Sequence, residues 1–293
     1  RPVPKPVTRA AAVFSMSPEA VRAALRDPDF EVRIAAARVA GMNRDRAAVP
    51  RLLDMAKKDE LPVRRQAATA LGQIGDRSVV PQLAAAAAGV EDRFVEHAII
   101  YSLIQLEDAA ATSSALRSPD PKTRKAALIA LDQMNRSPLR AADVLPALGA
   151  PQPDLRRAAL WVASRHPDWS PSLAAFLRTE QSEAVRDTLV AFLNDPAIQS
   201  LVADQLTNQP ARRMFLLDAL DQSGLRQFPA AWLDPLGRVL EDGDPAVRLR
   251  AIHLVRSRAI AGLAARLARI QTPDEPRLAA LAALVQRRPQ LPP

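Results

Sequence analysis

Glu96, His97 and Tyr101 are the closest that this 293-residue sequence comes to a reactive cluster. Residues four apart in a helix lie one above the other, so the imidazole of His97 and the phenol of Tyr101 would share a face. Such a face could bind a polar ligand or host an acid–base pair. The plainer reading is that these side chains satisfy local hydrogen bonds where a repeated arginine, described below, gives way to Val95. His97, His166 and His253 are too widely separated to show metal-ligand spacing. The chain has no cysteine, which excludes disulfides, thiolate metal sites, thiol catalysis and covalent haem attachment within these residues. There is no glycine-rich phosphate loop, no Gly-x-Ser-x-Gly and no paired-carboxylate signature. Accordingly, no enzyme activity, cofactor or metal is expected within the chain. Trp161, Trp169 and Trp232 would be binding anchors if exposed. As large aromatics they more readily fill gaps between packed elements, and Trp169, between His166-Pro167-Asp168 and Ser170-Pro171, is read as such a plug.

The elements that must position these residues are helices. Alanine is about a fifth of the sequence, glycine numbers nine and aromatics are 4%, a mixture that favours helix over strand. A phrase recurs in which an acidic or proline turn leads to a Val-like residue, an arginine and small apolar residues. It stands at Asp27-Pro28-Asp29-Phe30-Glu31-Val32-Arg33 and at Glu60-Leu61-Pro62-Val63-Arg64. It returns at Pro119-Asp120-Pro121-Lys122-Thr123-Arg124, Pro153-Asp154-Leu155-Arg156, Glu183-Ala184-Val185-Arg186 and Gly243-Asp244-Pro245-Ala246-Val247-Arg248. Weaker copies surround Phe94, Ala211 and Pro276. The spacing of about 30 residues predicts nine two-helix units. Pro18, Pro50, Pro81 and Pro146 are expected in first helical turns, where a missing N–H costs nothing, and Gly72 to Gly75 should close a helix. The expected fold is therefore all-α: an α-solenoid over residues 17–286, with a proline-rich lead-in at 1–16 and a proline-rich tail at 287–293.

The two-helix unit, with its turn Pro/Asp and its second-helix arginine, resembles HEAT repeats, in particular the short bacterial lyase-type version. That resemblance implies a ladder in which Arg33, Arg64, Arg124, Arg156, Arg186 and Arg248 pair with turn acids of the kind recurring at Asp29, Asp120, Asp154, Glu183 and Asp244. Two stretches, Asp92 to Asp108 and Ser164-Arg165-His166-Pro167-Asp168-Trp169 with the later Phe228-Pro229-Ala230-Ala231-Trp232, further resemble planctomycete-type membrane-bound dehydrogenases. Those proteins join a propeller, a HEAT array and a c-type cytochrome. This chain would correspond to the array, a spacer or docking module outside the cytoplasm, and without cysteine the haem chemistry has no residue to rest on.

The formal net charge is +8. Residues 245–293 hold nine arginines against Asp274 and Glu275, which leaves the preceding 244 residues nearly neutral. Arg250, Arg256, Arg258, Arg266 and Arg269 are thus candidates, with Glu96, His97 and Tyr101, for partner binding. Scarce lysine and the lack of aromatics in that segment favour a protein or neighbouring domain over nucleic acid or another polyanion. The longest uncharged run, Ser78 to Val90, is too short to span a bilayer, and a monomer is expected.

Overall fold

A computed structural model describes residues 6–136, 138–180, 182–267 and 269. All of its regular elements are helical: α1 (Pro6–Ala12), α2 (Pro18–Ala24), α3 (Phe30–Met42), α4 (Val49–Lys58), α5 (Leu61–Ile74) and α6 (Val80–Ala85). They continue as α7 (Arg93–Leu106), α8 (Ala109–Ser114), α9 (Pro121–Gln133), α10 (Ala141–Leu148), α11 (Pro153–Ser164) and α12 (Ser170–Thr179). The last are α13 (Arg186–Ala191), α14 (Pro196–Asn208), α15 (Arg213–Gln222), α16 (Ala230–Val239), α17 (Pro245–Ser257) and α18 (Ala264–Leu267). From α2 onward even-numbered and odd-numbered helices alternate as the first and second members of a pair, and short 3-10 turns lead into several of them. The fold is an all-α solenoid. Two compact units divide the chain, residues 1–165 and residues 166–293. The copy of the phrase around Pro276 and the tail at 287–293 lie outside the described residues, whereas part of the expected lead-in is helix α1.

Local chemistry explains where these helices start. Asp29, Asp92, Asp120, Asp195 and Asp244 each accept a backbone N–H from the first turn of the helix they precede, the arrangement that satisfies orphan donors at a helix N-terminus. Proline follows at or next to the first helical position in α2, α4, α6, α9 and α17, among others. Pro146 departs from that rule. Helix α10 opens early, at Ala141, because the Arg140 N–H donates to Asp143 Oδ2 at 3.0 Å, so Pro146 falls inside the helix. Gly72 likewise sits within α5 rather than closing it; the closing residue is Gly75, at φ +79°.

In the first unit the second helices stack in order, α3 on α5, α5 on α7, α7 on α9 and α9 on α11. Alanines buried at these seams, such as Ala36, Ala67, Ala126 and Ala159, let the helices approach closely. The approach is tightest at two glycines. A β-carbon on Gly41 would lie 2.9 Å from Ala70 Cα, and one on Gly72 would lie 2.9 Å from Ser102 Cβ. Across the second seam Ser102 Oγ donates to Ala68 O at 2.8 Å, a buried bond between α7 and α5. In the second unit α13, α15 and α17 stack in the same way, and α14 packs on α16. There Trp232 is fully buried and its Nε1–H donates to Gln199 O at 2.9 Å.

Candidate functional site

Counting from the first residue after each cap, and including the 3-10 turns Glu183–Val185 and Pro210–Arg212 that lead into α13 and α15, the third position of every second helix points inward. Val32, Val63, Val95, Thr123, Leu155, Val185, Arg212 and Val247 are all buried there. This register moves two of the repeated positions by one residue each, from Phe94 to Val95 and from Ala211 to Arg212, and leaves the others in place. Val95 is a core residue in line with Val32, and Glu96 stands where the other units carry arginine. In the α15 unit Arg212 takes the core position, and Arg213 is the counterpart of Arg33.

The fourth-position arginines bind mainly to carbonyls of the turn just before them. Nη1 of Arg33 donates to Asp27 O and Pro28 O at 2.9 and 3.0 Å. Nη1 of Arg124 donates to Ser118 O and Pro119 O, and Nη1 of Arg156 to Ala150 O and Pro151 O. Arg248 does the same with Asp242 O and Gly243 O. Arg64 bonds Ala56 O at 3.0 Å and Ala86 O at 3.3 Å. Two arginines also reach an acid in the following turn: Arg33 grips Asp59 at 2.6 and 3.1 Å, and Arg213 pairs with Asp242. Of the expected acids, Asp29, Asp120 and Asp244 are helix caps, Asp154 pairs with Lys122 at 3.0 Å and with Arg157, and Glu183 pairs with Arg186. The physical reason is reach: a guanidinium one turn into a helix lies beside the carbonyls of the turn that leads into that helix, which have no ladder partner of their own and are satisfied first. At Glu96 the polarity reverses, and Lys125 on α9 pairs with it at 2.8 Å.

His97 and Tyr101 do share a face, their rings parallel at 6.3 Å. They form part of a groove of about 610 Å³ running over α7, α9 and α11 within the first unit. Phe94, Ile100, Ile104 and Ile129 give it an apolar surface, Arg93 and Glu96 border it, and Trp161 lines it as well. Tyr101 is 50% exposed and Trp161 43%. The guanidinium of Arg93 lies 4.7 Å from the Phe94 ring centre, and that of Arg165 lies 5.1 Å from Trp161. Arg165 is held by Asp132 at 2.9 Å. Trp161, at the ninth position of α11, was not singled out by the sequence as a groove residue. Its signal was its register, since Tyr101 and Ile129 hold the ninth positions of α7 and α9. Trp169 is half-buried and stacked on His166, with ring centres 3.9 Å apart.

The terminal arginines are largely occupied. Arg250 bridges Asp218 at 2.6 Å and Asp221 at 2.9 Å, and Arg266 pairs with Asp234 at 2.6 Å. Arg258 donates to Ser223 O and, at 3.0 Å, to Leu225 O. Arg256 and Arg269 are exposed. The surplus of positive charge at the end of the sequence is thus partly neutralised by acids of the preceding helices. Among the described residues no group of three or more potential ligands could hold a metal ion, and no helix is long and apolar enough to cross a membrane.

Residues 18–104 match the family model for HEAT repeats. The chain is 36% identical over 127 residues to the bilin biosynthesis protein PecE of Mastigocladus laminosus, a match covering 40% of this chain and 47% of that protein. It thus spans about half the length of that curated relative. Solved structures superpose loosely: YibA of E. coli at 16% identity and a TM-score of 0.36, covering 98% of both chains. The complex of CpcE and CpcF of phycocyanin lyase from Nostoc sp. PCC7120 gives 21% identity and a TM-score of 0.35, covering 92% of this chain and 94% of that one. The likeness to a bilin biosynthesis protein overturns the expectation that the chain is not an enzyme.

Proposed function

We propose that this chain is a helical-repeat scaffold with a bilin-lyase type of role, holding an open-chain tetrapyrrole on the α7–α9–α11 groove for transfer to or from a protein partner. The observation that carries the reading is the groove's pair of exposed aromatic side chains, Tyr101 and Trp161. A bilin is a long conjugated ligand with an apolar face and carboxylate arms. Its rings suit offset stacking on a phenol and an indole, and its carboxylates suit the guanidinium of Arg93 and the imidazole of His97. The groove's volume, about 610 Å³, is within the roughly 300–1,000 Å³ usual for small-molecule sites. Large exposed aromatics sharing one groove are uncommon on a surface that binds nothing, which favours a ligand-holding role over a spacer.

Titration of the protein with biliverdin, followed by the visible absorption band, tests the reading. Binding is expected to shift that band, and Trp161→Ala or Tyr101→Ala to weaken affinity by about tenfold, as loss of an aromatic contact worth roughly 1.4 kcal/mol would. An unchanged spectrum at excess pigment, or affinity indifferent to both substitutions, removes the groove as the pigment site.

A further inference from the structure

Where Arg33 and Arg213 grip Asp59 and Asp242 of the next turn, Arg124 has no acid to reach: residues 149–152 are Gly149, Ala150, Pro151 and Gln152. Pro151 holds the place of Asp59, two residues before its helix. Beside this gap lies a cavity of about 750 Å³, bordered by Arg117, Arg124 and Arg140 against a single acid, Asp143, with Leu116, Leu128 and Leu155 as apolar wall. Arg124 spends Nη1 on Ser118 O and Pro119 O, and Asp143 is engaged by the Arg140 N–H and, more loosely at 3.8 Å, by the Arg140 guanidinium. Arg117 and Arg140 are exposed. The α13 unit supplies an internal comparison. Arg186 also faces a turn without an acid, residues 207–210, and a cavity of about 390 Å³ lies there too, but Glu183 lines it and pairs with Arg186. At α13 a carboxylate of the chain thus answers the arginine itself, whereas at α9 the lining acid, Asp143, pairs with Arg140 and not with Arg124.

We propose that the cavity beside α9 binds a small organic acid bearing two or more carboxylates, with one carboxylate on Arg124 in the place Asp59 holds on Arg33, and a second between Arg117 and Arg140. Planar guanidinium groups match carboxylates in two-point contacts, and the leucine wall covers a short carbon skeleton that a purely inorganic ion would leave exposed. The site is separate from the aromatic groove and does not depend on the pigment reading.

Isothermal titration of the whole chain with propane-1,2,3-tricarboxylate, with inorganic phosphate and hexanoate as comparison ligands, tests it. The tricarboxylate should bind more tightly than either. Arg124→Gln should weaken it by about tenfold or more, since it removes a charged hydrogen-bond partner. Arg117→Gln and Arg140→Gln, both at exposed positions, should each weaken it about two- to fivefold. Pro151→Asp supplies the missing carboxylate from the chain and should abolish binding while raising the melting temperature. Trp161→Ala should leave this binding unchanged even where it removes pigment binding. The proposal is overturned if phosphate binds as well as the tricarboxylate, if no heat is seen with any of the three, or if Arg117→Gln, Arg140→Gln and a folded Pro151→Asp all bind like the unaltered chain.

Discussion

Arg33 shows how one side chain joins consecutive repeats. Its guanidinium caps two carbonyls of its own turn and grips Asp59 of the next, and both side chains are about nine-tenths buried. Burial alone would raise the Asp59 pKa, but hydrogen bonds from Arg33 and around Glu60 outweigh it and hold the carboxyl below its ordinary value. The folded chain therefore binds fewer protons at this site than the unfolded chain. The resulting stability is complete above the unfolded pKa and is lost as pH falls through the folded one. Urea unfolding followed from pH 6 down to about pH 2 should show this loss in the acid limb, and Asp59→Asn should flatten it. The substitution should also cost about 1–3 kcal/mol near neutrality, because a buried guanidinium loses its buried carboxylate and keeps only the more exposed Glu60. At this scale the sequence was readable in kind but not in partner. Repetition marked the arginines and the acids, and the four-residue spacing correctly put His97 beside Tyr101. What repetition could not reveal is that carbonyls of the preceding turn lie nearer to most of these arginines than any acid does.

The helices were legible because their caps are written in short-range chemistry: an Asp, a proline, then a buried third residue. The exceptions are as local as the rule. Pro146 lies inside α10 because Asp143 draws the helix start forward to Ala141, and Gly72 continues α5 because its role concerns a neighbour rather than a turn. That role gives a prediction. Gly72→Val would drive side-chain atoms into Ser102 across the α5–α7 seam, and overpacking of this kind costs about 1–3 kcal/mol. Ser102→Ala, which removes the second, cross-helix donor to Ala68 O, should cost about 1 kcal/mol. Thermal melts of the two variants would check both magnitudes, and a Gly72→Val protein as stable as its parent would show that the seam can open.

On the scale of the chain, stacked repeats hold together through nearest neighbours, so damage should stay local. Hydrogen exchange of Gly72→Val is expected to lose protection first in α5 and α7, with amides of α15 and α17 little changed; uniform loss would mean that the chain unfolds as one block. The charge distribution, skewed in sequence, is partly offset among the described residues, since Asp218, Asp221 and Asp234 meet Arg250 and Arg266. Linear position alone could not show that pairing, nor could it reveal the groove, which needs three separate second helices in register.

The reversed rung at Glu96 and Lys125 bears on how such a chain can be edited. Excising the α6–α7 pair would bring α5 against α9 and set Lys125 opposite Arg64, with two like charges where an ion pair had been. An acid at this one rung makes the joint keyed: the neighbours of α7 cannot be exchanged or shortened as freely as arrays of identical modules can, so the order of units around the aromatic groove is itself specified by charge.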